Sequence, residues 1–116
     1  MAHTGPTDSI SRQMATFAAT LKLETVPPEA IREAKRFLLD SVGCAFGALG
    51  RPDVQIVHDT LAALGGAPEA TVIGSGLRTN AVNAALMNSL LIRALDYNDI
   101  YWKQDPSHPS DLIPAG

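Results

Sequence analysis

Apolar residues recur every three or four positions in the first half of the chain, which predicts two amphipathic helices. The first is expected over residues 8–22, where Thr7, Asp8 or Ser9 can cap its first turn. Its apolar positions are Ile10, Met14, Phe17, Ala18 and Leu21. The second is expected to start at Pro28 and to run to about Leu49. Its apolar face contains Ile31, Ala34, Leu38, Val42, Ala45 and Leu49.

Two further helices are predicted in the second half. Val54, Val57, Leu61 and Leu64 follow the break at residues 50–52 and precede two glycines, which are typical helix terminators. After Asn80, the run "AVNAALMNSLLIRAL" is apolar on nearly every side. A helix of fifteen residues is too short to span a bilayer, so this run predicts a helix buried in the protein.

The remaining patterns define the expected fold class. "EATVIGSG" favours a short extended segment, whose strand partner would lie outside the chain unless the segment crosses the helices unpaired. The small residues Gly43, Gly47 and Ala48 predict close packing along the second helix. We therefore expect an all-α fold of about four helices and one short extended segment, with a flexible tail over residues 1–7 and a partial helical domain over residues 8–116.

Composition excludes several classes of partner. A formal net charge of -3 offers no broad basic surface for nucleic acid or an anionic membrane. The 46% of hydrophobic residues supply enough apolar material for a core, and no secretory signal or membrane span is recognisable. We expect a cytoplasmic protein. Cys44 is the single cysteine and is predicted to be a buried thiol, which leaves no internal disulfide.

Candidate chemistry concentrates in "LDYNDIYWKQDPSHPSD", which directly follows the apolar helix. Such a helix is expected to deliver Asp96 and Asp99 into the interior or a cleft, on one shared face if it continues for another turn. His108 is held between Ser107 and Pro109 and can act as an acid or a base at neutral pH. The alternatives are a solvated helix end, an ordinary loop histidine, and an Arg93 that only pairs with these aspartates.

Other sites find less support in the sequence. Asp96, Asp99, Asp105 and His108 offer metal ligands, but their spacing fits no known calcium loop, so no metal is predicted. "GSG" at residues 74–76 lacks the ending of a phosphate-binding loop. We assign no site role to His3 or His58.

Four blocks resemble, in order and spacing, the N-terminal part of the MmgE/PrpD family: "LLDSVGCAFGAL", "GGAPEATVIGSG", "NAALMNSLLIRALDYNDIYW" and "HPSDLIPA". The family includes 2-methylcitrate dehydratase, an enzyme of propionate catabolism, cis-aconitate decarboxylase and iminodisuccinate epimerase. The Asp-aromatic-Asn-Asp motif and the following loop look most like the dehydratase branch. The decarboxylase branch more often has Asp-Phe-Asp-Asp and a shorter loop.

The resemblance implies a cofactor-free reaction beside a carboxylate of a small di- or tricarboxylate, by loss of water, loss of CO2 or epimerisation. It places catalytic roles on Asp96 and His108. Arg93 is a candidate carboxylate clamp and Lys103 a weaker one, since guanidinium groups form bidentate pairs. Asp99 would contact substrate or orient its neighbours. Ile100 departs from the threonine that family members often carry there, which places the identity of the substrate in question.

Family members are several hundred residues long, so the resemblance also implies that this chain is an N-terminal portion, inactive by itself. An alternative is a non-catalytic helical module. In both cases the apolar helices predict self-association, with a homodimer as the expected form.

Overall fold

The computed structural model describes residues 9–115 and confirms a mainly helical chain. Its four α-helices are α1 (Ile10–Thr20), α2 (Pro28–Ala48), α3 (Pro52–Leu64) and α4 (Ala81–Arg93). Two short 3₁₀-helices span Leu23–Thr25 and Pro109–Ala115. Two small antiparallel hairpins consist of β1 (Ala70–Thr71) with β2 (Arg78–Thr79), and of β3 (Tyr101–Trp102) with β4 (Pro106–Ser107).

The chain forms two compact units, and the first ends at Arg32. In this unit, Ser9 caps α1, because its hydroxyl accepts a hydrogen bond from the Arg12 N–H at 3.3 Å. The other two predicted caps, Thr7 and Asp8, lie outside the described residues, as does the tail predicted over residues 1–7. Helix α1 has no buried residue, so its apolar stripe is on the surface of this unit.

The second unit contains the hydrophobic core, which is built on α4. Met87, Leu91 and Ile92 of this helix are fully buried. They belong to one cluster with Ala45 and Ala48 of α2 and with Val54 and Leu61 of α3. The 3₁₀-helix Pro109–Ala115 also packs against α4. This packing brings the chain that follows His108 back to the helix that precedes Asp96.

The small residues of α2 play two different roles. Ala45 and Ala48 are fully buried, as the predicted close packing requires. A methyl group on Gly47 would lie 3.0 Å from the Leu95 side chain, so a side chain rather than another backbone packs there. Gly43 has open space at its side-chain position. Close packing is therefore confined to the C-terminal turns of α2.

The extended segment has its strand partner within the chain, so the expectation of an external or missing partner is wrong. Ala70 pairs with Thr79, and Thr71 pairs with Arg78. The chain reverses between them through Gly74 and Gly76, whose φ angles of 75° and 72° suit glycine. Asn88 of α4 fixes this hairpin, since its amide accepts from Ile73 N–H at 2.9 Å and donates to Thr71 O at 3.2 Å.

Helix α4 is not buried on every side as predicted. Val82 is 78% exposed and Leu86 is 55% exposed, although both are apolar. The reason is that α2, α3 and the last 3₁₀-helix cover only part of its circumference within this chain. Within residues 9–115, no helix combines the length and the apolarity needed to cross a membrane.

Candidate active site

The end of α4 determines the position of Asp96. The helix ends at Arg93, and Asp96 adopts a positive φ of 54°, a left-handed conformation that aspartate tolerates better than most residues. The helix therefore does not continue for the extra turn that would place Asp96 and Asp99 on one face. The Asp96 side chain is 85% exposed, which corrects the expectation that α4 delivers this carboxylate into the interior.

The buried amide of Asn98 connects the Asp-Tyr-Asn-Asp motif at residues 96–99 to the His-Pro-Ser-Asp motif at residues 108–111. The Asn98 carbonyl oxygen accepts from Arg93 Nη1 at 2.7 Å, and its amide nitrogen donates to Ser110 Oγ at 2.9 Å. Asn98 is only 7% exposed and Ser110 is fully buried. Hydrogen bonds in a buried setting fix relative positions because breaking one leaves a polar group without a partner. Residues 98 and 110 are thus held together across the intervening hairpin.

Asp99 binds the histidine segment at two points. Its Oδ2 accepts from the Ser110 backbone N–H at 3.1 Å, and its backbone carbonyl oxygen lies 2.7 Å from His108 Nδ1. Its other carboxylate oxygen, Oδ1, is buried and has no hydrogen-bond partner among residues 9–115. An unpaired buried acceptor costs about 1–3 kcal/mol. The structure thus brings Asp99 next to His108, whereas the sequence expectation concerned Asp96 and His108.

The contact with Asp99 fixes the protonation pattern of the His108 ring. A carbonyl oxygen only accepts hydrogen bonds, so Nδ1 must carry a proton and donate it. In the neutral ring, Nε2 is then the unprotonated nitrogen. His108 therefore has a defined tautomer in which Nε2 can receive a proton from another molecule.

Two open cavities lie beside this network. One, of about 630 Å³, is lined by His108 together with Tyr101, Asp111 and Leu112 among others. The other, of about 560 Å³, lies between α2 and residues 97–99 and is lined in part by Phe37, Tyr97 and Asp99. Asp96 lines neither cavity. Of the two predicted catalytic groups, the imidazole of His108 therefore borders one of these open cavities and Asp96 does not.

The guanidinium of Arg93 is already engaged by groups of the protein. Besides Asn98, it donates from Nη2 to Asp96 Oδ1 at 3.2 Å and places Nε 3.5 Å from Asp111 Oδ1. Its role as a substrate clamp stays a prediction, and such a clamp would require these bonds to rearrange.

Lys103 and Ile100 are both exposed, and Lys103 lies in the turn between β3 and β4. No hydrogen bond or ion pair within the described chain joins Lys103 to Arg93, Asp96 or His108. Its substrate-binding role also stays a prediction.

The other candidate groups fall outside this network. Among residues 9–115, no three His, Cys, Asp or Glu side chains are arranged to hold a metal ion. Cys44 is buried, as predicted. Burial, followed by the negative charges of Asp40 and Asp99, raises the pKa of its thiol. A raised pKa disfavours the reactive thiolate at neutral pH.

Comparisons with known proteins agree with the motifs. The N-terminal domain of the MmgE/PrpD family matches residues 12–116, and the chain belongs to this family. Two curated relatives from Aspergillus terreus, one of them from strain NIH 2624 / FGSC A1156, are named cis-aconitate decarboxylase. Each is 24% identical over 104 residues, which cover 90% of this chain and 21% of the relative. The chain thus spans about a fifth of their length. No solved structure shows significant similarity to it.

Sequence reasoning assigned no site role to Asn98 or Ser110. Each is a common residue type in a polar loop, and the signal in the sequence was only their place inside the two motifs. Their importance follows from burial and from a bond between positions twelve residues apart, which local patterns do not reveal.

Proposed function

We propose that this chain supplies proton-transfer groups to a cofactor-independent lyase acting on a small tricarboxylate such as 2-methylcitrate. The observation that carries the proposal is the His108 tautomer, in which the bond to the Asp99 carbonyl leaves Nε2 available as a base. A general base must also be able to reach its substrate, and His108 borders an open cavity. Family membership supports the same reaction class.

The proposed reaction is an elimination of water. His108 removes a proton from the carbon next to a carboxylate, and the electron pair of that C–H bond forms the new double bond. The C–O bond of the neighbouring carbon breaks, and a second proton converts the departing hydroxide into water. We assign this second proton transfer to Asp96 at the end of α4, which must first take up a proton and release its bond from Arg93. Lys103 is a proposed contact for a substrate carboxylate, and Arg93 is another once its bonds to Asp96 and Asp111 open.

A related candidate is the decarboxylation of cis-aconitate, which the names of the two curated relatives favour. Here the bond to the departing CO2 breaks, and the carbon that retains the electron pair takes up a proton. The same histidine can deliver that proton. The Asp-aromatic-Asn-Asp motif at residues 96–99 favours the dehydratase instead.

The test is a substrate comparison with the full-length gene product. Loss of water from 2-methylcitrate and citrate is followed by the ultraviolet absorbance of the new double bond, and CO2 release is measured with cis-aconitate. We expect Asp96→Asn and His108→Ala each to lower turnover at least ~100-fold, the usual size of general acid-base effects. Asparagine is chosen at 96 because it also tolerates a positive φ.

His58→Ala is the matched control, because His58 is on α3 and pairs with Asp59 rather than with the motif. Its turnover should equal that of the unaltered protein. Unchanged turnover in both site variants would remove the assignments of Asp96 and His108. Absence of turnover with every acid in the unaltered protein would favour the non-catalytic module.

A further inference from the structure

Asn98 occupies the central position of a buried hydrogen-bond chain. Arg93 can only donate, so the Asn98 oxygen must face Arg93 and the amide nitrogen must face Ser110. The orientation of this amide is therefore determined by the chemistry of its neighbours. Both ends of the amide are hydrogen-bonded, and the residue is only 7% exposed. Water therefore does not readily replace either bond.

On one side, this chain of bonds leads to Asp96. Arg93 donates to Asn98 from Nη1 and to Asp96 from Nη2, so one planar guanidinium carries both bonds. The bond to Asp96 is exposed and contributes little to stability. Its consequence is geometric, because the rigid fork of the guanidinium relates the direction of Asp96 to that of Asn98.

On the other side, the chain leads to His108. Ser110 receives the Asn98 N–H on its hydroxyl and donates its own backbone N–H to Asp99. Asp99 in turn accepts the Nδ1 proton of His108. Three hydrogen bonds thus join residues 98 and 99 to Ser110 and His108. Because Ser110 and His108 are two residues apart, a shift of Ser110 changes the distance between the His108 imidazole and the Asp99 carbonyl, which fixes the tautomer.

We propose that Asn98, acting through Ser110, is a positioning residue that fixes the tautomer and location of the His108 imidazole relative to the Asp96 end of α4. This inference rests on the proposed function, since it assigns Asn98 a role in the same reaction. Asn98 does not touch substrate in this account. It acts on the two proposed catalytic groups, on Asp96 through Arg93 and on His108 through Ser110.

The first test uses NMR on the chain itself. Long-range proton–nitrogen spectra of the imidazoles report which ring nitrogen carries the proton. In the unaltered chain, neutral His108 should show the Nδ1–H form. Asn98→Ala and Ser110→Ala should each shift both His108 nitrogens toward values averaged over the two tautomers.

Asn88→Ala is the matched control. It also removes a two-bonded amide, but one that joins α4 to the β1–β2 hairpin. The His108 signals should stay unchanged in this variant. Ser110→Ala removes a single oxygen atom, so it decides the matter if Asn98→Ala does not fold. A single, unaltered His108 tautomer in a folded Ser110→Ala chain would overturn the proposal.

A second readout is kinetic and uses the full-length gene product. Misplacement by about 1 Å can reduce a rate ~100-fold, so Asn98→Ala should lower kcat by about that factor while KM changes little. A purely structural residue would lower the amount of folded enzyme and leave kcat per folded molecule unchanged, which would also overturn the proposal. Because the NMR comparison needs no substrate, its outcome is separate from any failure of the proposed reaction.

Discussion

Replacing glycine by alanine should have opposite effects on stability at Gly66 and at Gly43. Gly66 has a φ of 141°, and a methyl group there would lie 2.8 Å from Thr79 Oγ1 and 3.0 Å from the Asn80 backbone nitrogen. Gly66→Ala should therefore lower the free energy of unfolding by about 1–3 kcal/mol. Gly43 is within α2 with open space around it, so Gly43→Ala should raise that energy by about 0.5–1 kcal/mol. Urea unfolding of both variants measures the two changes in the free energy of unfolding. Changes of the same sign in both variants would refute the conformational argument.

Cys44 predicts a pH dependence of stability. Burial and the charges of Asp40 and Asp99 raise the pKa of its thiol in the folded chain above the unfolded value. The folded state then holds its proton more tightly, so the stabilisation is complete below the ordinary thiol pKa of about 8.5 and is lost as pH rises through the folded pKa. Urea unfolding at pH 7.5 and at higher pH should show this loss. In Cys44→Ser the decline should be smaller, and an identical decline would assign it to other groups.

At the scale of elements, Asn88 connects α4 to the β1–β2 hairpin. Asn88→Ala leaves the Ile73 N–H and the Thr71 carbonyl without their partner, so we expect a loss of about 1–3 kcal/mol. Hydrogen exchange at the Ile73 amide should accelerate. Ser89→Ala is the neighbouring control, because that hydroxyl donates to the Ala85 carbonyl of the same helix and not to the hairpin. Exchange at Ile73 that stays slow in Asn88→Ala would show that the strand pairing alone holds the hairpin.

The same elements show which parts of the fold a sequence can reveal. All four α-helices were predictable because each is long enough to repeat its apolar face several times. The two-residue strands have no period of their own, so the pairing of β1 with β2 was missed, although Gly74 and Gly76 marked the turn between them. At the site, the sequence singled out Asp96 and His108, but the contact between Asp99 and His108 was not predicted because it joins positions nine residues apart. The exposure of Asp96 depends on a backbone angle that the helical pattern did not indicate.

At the scale of the whole molecule, large apolar side chains remain on the surface of all four α-helices. Leu39 of α2 is 74% exposed, Ile56 of α3 is 69% exposed, and Val82 of α4 is 78% exposed. Single apolar residues on a surface need no explanation, but clusters of them mark contact surfaces. The expectation of a homo-oligomer therefore stays a prediction.

Self-association makes a measurable prediction for this chain. Because apolar burial contributes roughly 25 cal/mol per Å², covering these surfaces with a second copy should be favourable, and sedimentation velocity should show mass increasing with concentration above that of one chain. Binding of a hydrophobic dye should fall over the same range, since association removes the surface that the dye contacts. Salt should weaken the association little, because apolar contacts are not screened as ion pairs are. A monomer at every concentration that binds no dye would refute the prediction and require that these side chains be covered within the single chain.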